Sequence, residues 1–339
     1  MAIKVGINGL GRIGRAAFKV ILDTPELELV GVNDIAELEN MAYLLKYDTV
    51  YGRYERKVEM HDKKLVVDGR EIAYLSERDP AALPWGAMGV ELVFECTGIF
   101  TKREDAGKHI QAGSKYVIIS GPTSSNDVPT VVHGVNRPGQ DAFVLSCASC
   151  TTNNITPIME IMQRRYGIEK AIMTTVHAYT ATQLLVDGPS GKKDMRRGRA
   201  AAQNWVPSST GAATAAAKAL PELAGKFDGV AVRGPVPVGS LADIVLLTTQ
   251  NVTAEQVNDA LREEAASPRY LNILGVTEEE LVSSDIIKDP RASIVQLDMT
   301  RVVDGNLVKV MTWYDNEWGY TNQMVKTALH SLGLREYTY

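Results

Sequence analysis

Cysteine is scarce. The 339 residues contain three, Cys96, Cys147 and Cys150. Three thiols cannot build a disulfide scaffold, and they fit a reducing compartment. No apolar run approaches the roughly 18 residues that a membrane span needs. The opening Met1-Ala2-Ile3-Lys4-Val5 enters a strand at once and lacks the architecture of a signal peptide. A basic excess is missing too. Lys plus Arg number 36 against 41 Asp plus Glu, a net charge of −5, so neither a nucleic-acid nor a membrane partner is implied. No grouping of His, Cys, Asp and Glu has metal-ligand spacing, and Cys147-x-x-Cys150 has no second pair with which to hold zinc. Internal repeats and low-complexity tracts are absent. What remains, 45% hydrophobic and 23% charged, is an ordinary globular composition, expected in the cytoplasm.

The length suggests two domains. The first third alternates short apolar strands with helical stretches, the pattern of a doubly wound parallel sheet. Strands are expected at Ile3 to Ile7, Leu29 to Val32, Leu92 to Glu95, Tyr116 to Ile119 and Ala142 to Leu145, with a helix over Gly11 to Leu22. Lys64 to Leu75 reads as a hairpin turning at Asp68-Gly69. After residue 150 longer strands follow at Ala171 to Val176, Val230 to Arg233, Ala242 to Thr248, Ser293 to Leu297 and Leu307 to Trp313. Few helices separate them, so a mixed, mainly antiparallel sheet is expected in an α+β domain. One helix begins at Thr253, with Gln256 completing a capping box. The reading is therefore a first domain over 1–149 and a second over 150–316. A final helix over about 317–339, with Met324, Val325, Ala328, Leu329 and Leu332 on one face, returns to the first.

Gly9-Leu10-Gly11-Arg12-Ile13-Gly14 follows the first strand and opens the first helix. The glycines permit a tight turn and bring a pyrophosphate close to the helix N-terminus. Asp34 ends the second strand, where a carboxylate can accept both ribose hydroxyls of an adenosine. An Asp there repels a 2′-phosphate and favours NAD over NADP.

Cys150 lies where an apolar strand gives way to a helix over about Thr151 to Tyr166. A thiol at a helix N-terminus sits near unpaired N–H groups and the positive end of the dipole, which favour the thiolate. The alternative is a small buried cysteine without chemistry. His177 closes a strand and precedes polar Tyr179, Thr180 and Thr182. It could hold an ion pair with a thiolate and then act as acid and base, or be structural. His61, His109, His133 and His330 lie in charged or loop-like surroundings and are expected at the surface. Lys192 to Arg199 is a basic run, read either as a solvated loop or as part of an anion site. Ser208-Ser209-Thr210-Gly211 precedes an Ala-rich helix, a plausible anion-binding N-terminus, and Arg233 ends a separate strand.

Taken together, these residues resemble the phosphorylating glyceraldehyde-3-phosphate dehydrogenases across nearly the whole chain. The carrying segments are INGLGRIGR, LLKYDTVYG, CTGIF, ASCTTN, TVHAYTATQ, DGPSGK, PSSTGAA and WYDNEWGY. The resemblance implies a homotetramer that converts glyceraldehyde 3-phosphate, NAD and inorganic phosphate to 1,3-bisphosphoglycerate and NADH. It assigns the nucleophile to Cys150 and the base to His177. It implies an inorganic-phosphate site at Ser149, Thr151, Thr210 and Gly211, and a substrate-phosphate site at Thr180, Arg197 and Arg233. Arg12, Ile13, Asp34, Arg78, Ser120 and Asn316 match cofactor-contacting positions, beside Gly9, Gly11 and Gly14. Erythrose-4-phosphate dehydrogenase and a noncatalytic NAD-binding interaction protein are the alternatives, and NADP stays open as a secondary cofactor.

The sequence departs from the family's usual pattern in three places. Cys147 stands where the family usually has Asn, and Asn154 where a second Cys is often found. The two thiols Cys147 and Cys150 could be linked by oxidation, or Cys147 could simply be buried. Arg233-Gly234-Pro235-Val236-Pro237-Val238-Gly239-Ser240 replaces the more usual RVPTPNVS.

Overall fold

The computed structural model describes residues 2–139, 141–191 and 194–336. Lys192 and Lys193 of the basic run, and residues 337–339 of the expected final helix, lie outside them. Contacts divide the chain into two units. One holds residues 2–131, Arg137–Ala148 and Met324–Glu336; the other holds Val132–Asn136 and Ser149–Gln323.

The first unit is a doubly wound sheet. Its strands are β1 (Ile3–Asn8), β2 (Leu27–Asn33), β3 (Val58–His61), β4 (Lys64–Val67), β5 (Arg70–Leu75), β6 (Leu92–Glu95), β7 (Tyr116–Ile119) and β8 (Val144–Ser146), in the order β8-β7-β6-β1-β2-β5-β4-β3. The strands from β8 to β5 pair in parallel; the β4/β5 and β3/β4 pairs are antiparallel. β6 is buried throughout and β1 from Val5 to Asn8, as strands of a parallel sheet covered on both faces are. Asp68 and Gly69 take positive φ (49° and 80°) in the hairpin turn. The last strand is shifted from its expected place: Phe143 is 47% exposed and β8 runs on to Ser146. Helix α1 (Arg12–Leu22) turns Ala17, Phe18 and Ile21 inward. Strand order reverses between β6-β1 and β1-β2, and at such a switch point a crevice opens beyond the strands' carboxyl ends.

In the second unit helix α2 (Cys150–Tyr166) lies on a mixed sheet. The strands are β9 (Ile168–Ala178), β10 (Val206–Ser209), β11 (Phe227–Gly234), β12 (Ser240–Thr248), β13 (Leu274–Thr277), β14 (Ser293–Gln296), β15 (Arg301–Val303) and β16 (Leu307–Tyr314). Their order is β10-β11-β9-β12-β16-β14-β13, with β15 paired to β16. The β9/β11 and β13/β14 pairs are parallel and the rest antiparallel. One core gathers Ile155, Met159, Met173, Ile244 and Val310. Helix α3 (Ala212–Ala219) follows Gly211, and α4 (Ala254–Ala266) starts from a complete Thr253/Gln256 capping box. The last helix, α5 (Trp318–Ser331), buries Met324, Val325, Ala328 and Leu329. Beyond it, Arg335 pairs with Glu26 of the first unit at 2.7 Å.

Candidate active site and cofactor cleft

The first residue of α2 is Cys150, and its cap is Ser149, whose hydroxyl accepts the Thr152 N–H at 3.1 Å. Two residues earlier Ala148 is fully buried with φ 55°, a left-handed conformation that costs a residue with a Cβ about 1–2 kcal/mol. The first turn of α2 is pinned from below. Thr151 Oγ1 is 2.9 Å from the Tyr314 hydroxyl, which also meets Thr175 Oγ1 at 2.8 Å. Asn154, fully buried, donates to the Trp313 carbonyl at 3.1 Å, so the amide found in place of a second cysteine ties the helix to β16.

Cys150 Sγ lies 3.3 Å from His177 Nε2. His177 Nδ1 is 2.7 Å from the Ala178 carbonyl, which also accepts from Arg233 Nη1 at 3.1 Å. Arg233 Nη1 also lies 2.9 Å from Nδ1; assigning the ring proton to the shorter contact, with the carbonyl, directs Arg233 to that carbonyl and leaves the Nε2 lone pair facing the thiol. His177 and Arg233 are register partners across the parallel β9/β11 ladder, so backbone pairing sets them side by side. Burial and the Arg233 charge push the imidazole down to about 3. Burial also raises the Cys150 thiol, against the opposing pull of Arg233 and of Thr151. Burial thus pulls both groups toward their neutral forms, a thiol beside a base, while Arg233 draws the sulfur toward the thiolate of the expected ion pair.

Around this pair the structure assembles most of the expected anion ligands. Arg233 is itself pushed down by burial, and its Nε has no hydrogen-bond partner. Arg197 Nη1 donates to Thr182 Oγ1 at 2.8 Å, and Thr182 meets Thr180 Oγ1 at 3.0 Å. Thr182 was read from sequence only as a polar neighbour, yet it joins Arg197 to Thr180. Thr152 Oγ1 reaches the Ala212 carbonyl at 3.5 Å, bringing the N-terminus of α3, with Thr210 and Gly211, beside that of α2. The Thr151 hydroxyl turns inward to Tyr314, and its backbone N–H, the group left for an anion, already supports the Cys150 thiolate.

The departure at Gly234 has a steric cause. A Cβ there would meet the Trp205 ring at 2.5 Å. Cys147 is 1% exposed and burial pushes its thiol up to about 12, which makes it a poor partner for oxidation.

In the first unit a cleft of about 320 Å³ is lined by Asn8, Gly9, Gly11, Asn33, Asp34, Ile35, Glu77 and Arg78, with Cys96, Thr97, Ile99 and Phe100. Asp34 is fixed at both oxygens, accepting from Leu10 N at 2.7 Å and Ala36 N at 2.9 Å. Gly14 packs on the Gly9 carbonyl, where a Cβ would lie at 1.9 Å, whereas Gly11 has open space. Helix α1 has no side-chain cap and no acidic residue in its first turn, which leaves its N–H groups to an anion. These features fit a dinucleotide. Arg12 is held by Asp48 at 2.5 Å and stacks on Tyr51, and Ile13 is half-buried beside it. Ser120 lies just past β7, its N–H on the Glu95 carbonyl. Asn316 belongs to the second unit, where its Oδ1 accepts from Gly239 N and Ser240 Oγ.

The surface placement of the other histidines is corrected in part. His61 is exposed and His330 half-buried, but His109 and His133 are 0% and 6% exposed. A charged neighbour, Lys108, marks the outer face of a short helix whose opposite face turns His109 toward Trp85. Among the described residues no cluster of His, Cys, Asp and Glu could hold a metal, and no helix is long and apolar enough to cross a membrane.

Known proteins resemble the chain over nearly its whole length. Residues 3–103 match the family described as glyceraldehyde 3-phosphate dehydrogenase, NAD binding domain, and residues 149–316 the corresponding C-terminal domain. The chain is 49% identical over 333 residues to glyceraldehyde-3-phosphate dehydrogenase 1 of Bacillus subtilis, covering 97% of this chain and 98% of that protein. It is 48% identical over 329 residues to the Streptomyces coelicolor enzyme, covering 96% and 97%. Against the Geobacillus stearothermophilus enzyme the identity is 47% over 333 residues, covering 97% and 98%.

Proposed function

The chain belongs to the glyceraldehyde-3-phosphate dehydrogenase family, and from that premise we propose the following division of labour among its residues. The enzyme oxidises and phosphorylates glyceraldehyde 3-phosphate with NAD in glycolysis. Cys150 is the nucleophile. Its S–H proton passes by way of His177 Nε2 to the carbonyl oxygen as sulfur bonds to the aldehyde carbon, giving a hemithioacetal and leaving the imidazole neutral. His177 then takes the proton of the hemithioacetal hydroxyl. NAD, when bound, supplies the acceptor for the hydride that leaves this carbon. The product is a thioester, which inorganic phosphate cleaves with return of the thiol. The observation that carries this reading is the 3.3 Å contact of Cys150 Sγ with a base-form His177 beside Arg233.

Arg233, Arg197, Thr180 and Thr182 hold the substrate phosphate, and the orphan Nε of Arg233 is a donor awaiting an anion. Ser149, Thr210, Gly211 and the N–H of Thr151 receive inorganic phosphate at the adjoining helix N-termini. Gly9, Gly11 and the α1 N-terminus carry the pyrophosphate, with Asp34 on the adenosine ribose and Arg78 at the cleft wall. Ile13, Ser120 and Asn316 are assigned to the cofactor by resemblance alone. Cys150→Ser tests the chemistry: turnover falls below about a thousandth while NAD affinity persists. Substantial residual dehydrogenase activity in that variant defeats the mechanism.

A homotetramer is supported by one face of the second-unit sheet, where Ile172, Val176, Val230 and Leu307 are 60%, 40%, 50% and 40% exposed. Val176 and Val230 share that face with Ile172 through the β9/β11 register. Exposed apolar side chains of this kind, set beside Asp228 and the Lys309–Asp243 pair on the same face, are what a second copy covers. Three free thiols support residence in the reducing cytoplasm.

A further inference from the structure

A second cluster of titratable side chains lies wholly inside the first unit. Asn8, Glu95 and His109 are 1%, 1% and 0% exposed. Polar groups so deeply buried persist when their hydrogen-bonding atoms are satisfied. The partners here fix the proton positions. An indole N–H only donates, and Trp85 Nε1 lies 3.0 Å from His109 Nδ1. Nδ1 therefore carries a lone pair, and the ring proton sits on Nε2, which donates to Glu95 Oε2 at 3.0 Å. Asn8 Nδ2 donates to the same oxygen at 2.6 Å. The other oxygen, Oε1, accepts the Thr97 N–H at 2.8 Å and the Thr97 hydroxyl. Donors thus converge on both oxygens and no acceptor is left for a carboxyl proton. Glu95 is an anion facing a neutral imidazole.

These donors sit on different walls of the cofactor cleft. Asn8 ends β1 and precedes Gly9. Thr97 follows β6, and its backbone N lies 2.8 Å from where a Gly9 Cβ would be. Asn8 Oδ1 accepts from Asn33 Nδ2 at 2.7 Å, at the end of β2. Asn33 in turn exchanges two hydrogen bonds with the Glu77 backbone beyond β5, at 2.9 and 2.8 Å. Asn8, Asn33, Glu77 and Thr97 all line the cleft, and Glu95 and His109 do not.

We propose that Glu95 is the positioning residue of the cofactor cleft: its carboxylate, held by His109 and Trp85, sets the spacing of the β1, β2, β5 and β6 ends around the dinucleotide. This rests on the reading that the cleft receives NAD. A neutral amide at position 95 would turn a donor toward donors, and the walls would separate.

The test uses the full-length enzyme. Glu95→Gln raises both the dissociation constant and the KM for NAD about tenfold or more, while kcat at saturating NAD and the KM for glyceraldehyde 3-phosphate stay within about twofold. Parental NAD affinity in this variant overturns the proposal. So does a joint worsening of NAD affinity, kcat and the aldehyde KM, which a general loosening would produce. Should Glu95→Gln not fold, Trp85→Phe carries the test, since it keeps the carboxylate and its donors but releases Nδ1. NAD affinity then weakens about threefold and nitrogen NMR finds His109 in mixed tautomers; unchanged affinity overturns the proposal. Asp34→Ala separates the premise. If it binds NAD like the parent, the cleft reading fails; if it loses affinity and Glu95→Gln does not, only the role of Glu95 fails.

Discussion

At the imidazole of His177, burial and the Arg233 charge act in the same direction, and both favour the neutral ring. The unfolded chain would bind a proton there near the ordinary histidine value, and the folded one only near 3. Between those values the unfolded state holds more protons, so this group's contribution to stability falls with falling pH, by up to about 1.4 kcal/mol per unit. The same neutrality shapes reactivity. Alkylation of Cys150 should rise with pH through the thiol's own raised titration, with no step near pH 6.5. A clear inflection there, lost in His177→Asn, would restore the ion pair. Tyr314 is the second residue to watch, because its hydroxyl bridges Thr151 and Thr175. Tyr314→Phe takes a partner from each of two buried hydroxyls, Thr175 keeping only a long 3.4 Å bond to the Leu241 carbonyl, and is expected to cost about 1–3 kcal/mol in chemical denaturation. Neither contact was visible in the sequence, since Thr151 and Tyr314 lie 163 positions apart. Cys150 and His177 were legible because each ends or starts an element, where side chains meet solvent and ligands. His109 was not, because a single polar neighbour says nothing about which way a short helix faces.

Among the elements, strand runs rich in Val and Ile were read nearly to the residue, as at β6 and β7, where burial leaves no other use for them. The parallel pairing of β9 with β11 inside a mostly antiparallel sheet was less accessible, because pairing partners depend on tertiary order rather than local pattern. That pairing matters at the edge formed by β10 and β11. Trp205 leans over Gly234, one residue beyond Arg233. Gly234→Val should drive the indole away, disturb the Arg233 backbone, and raise the KM for glyceraldehyde 3-phosphate severalfold. Trp205→Ala in the same chain should recover most of the loss, because the clash has one partner. Steady-state kinetics on both single variants and the double variant decide it; additive losses would show that the two residues are uncoupled. At the turn into α2, Ala148→Val places a β-branched side chain at positive φ and is expected to lower the melting temperature.

For the whole molecule, the exposed sheet face predicts that Ile172→Lys, alone or with Val176→Lys, lowers the mass found by light scattering. An unchanged mass would move the subunit contact elsewhere. The division into units was expected from the change of texture near residue 150, and the chain does change units between Ala148 and Ser149. A return of the final helix was expected from about residue 317, and the chain crosses at 323/324; the further crossings at 131/132 and 136/137 were not expected. Truncation after residue 323 removes the Arg335 contact with Glu26 and the buried Met324 to Leu329 face, so it should abolish NAD binding and not merely shorten the tail. Those crossings also impose an order in time. A ribosome delivers the last segment of the nucleotide-binding unit only after the entire catalytic unit has emerged, so the half that is encoded first is completed last.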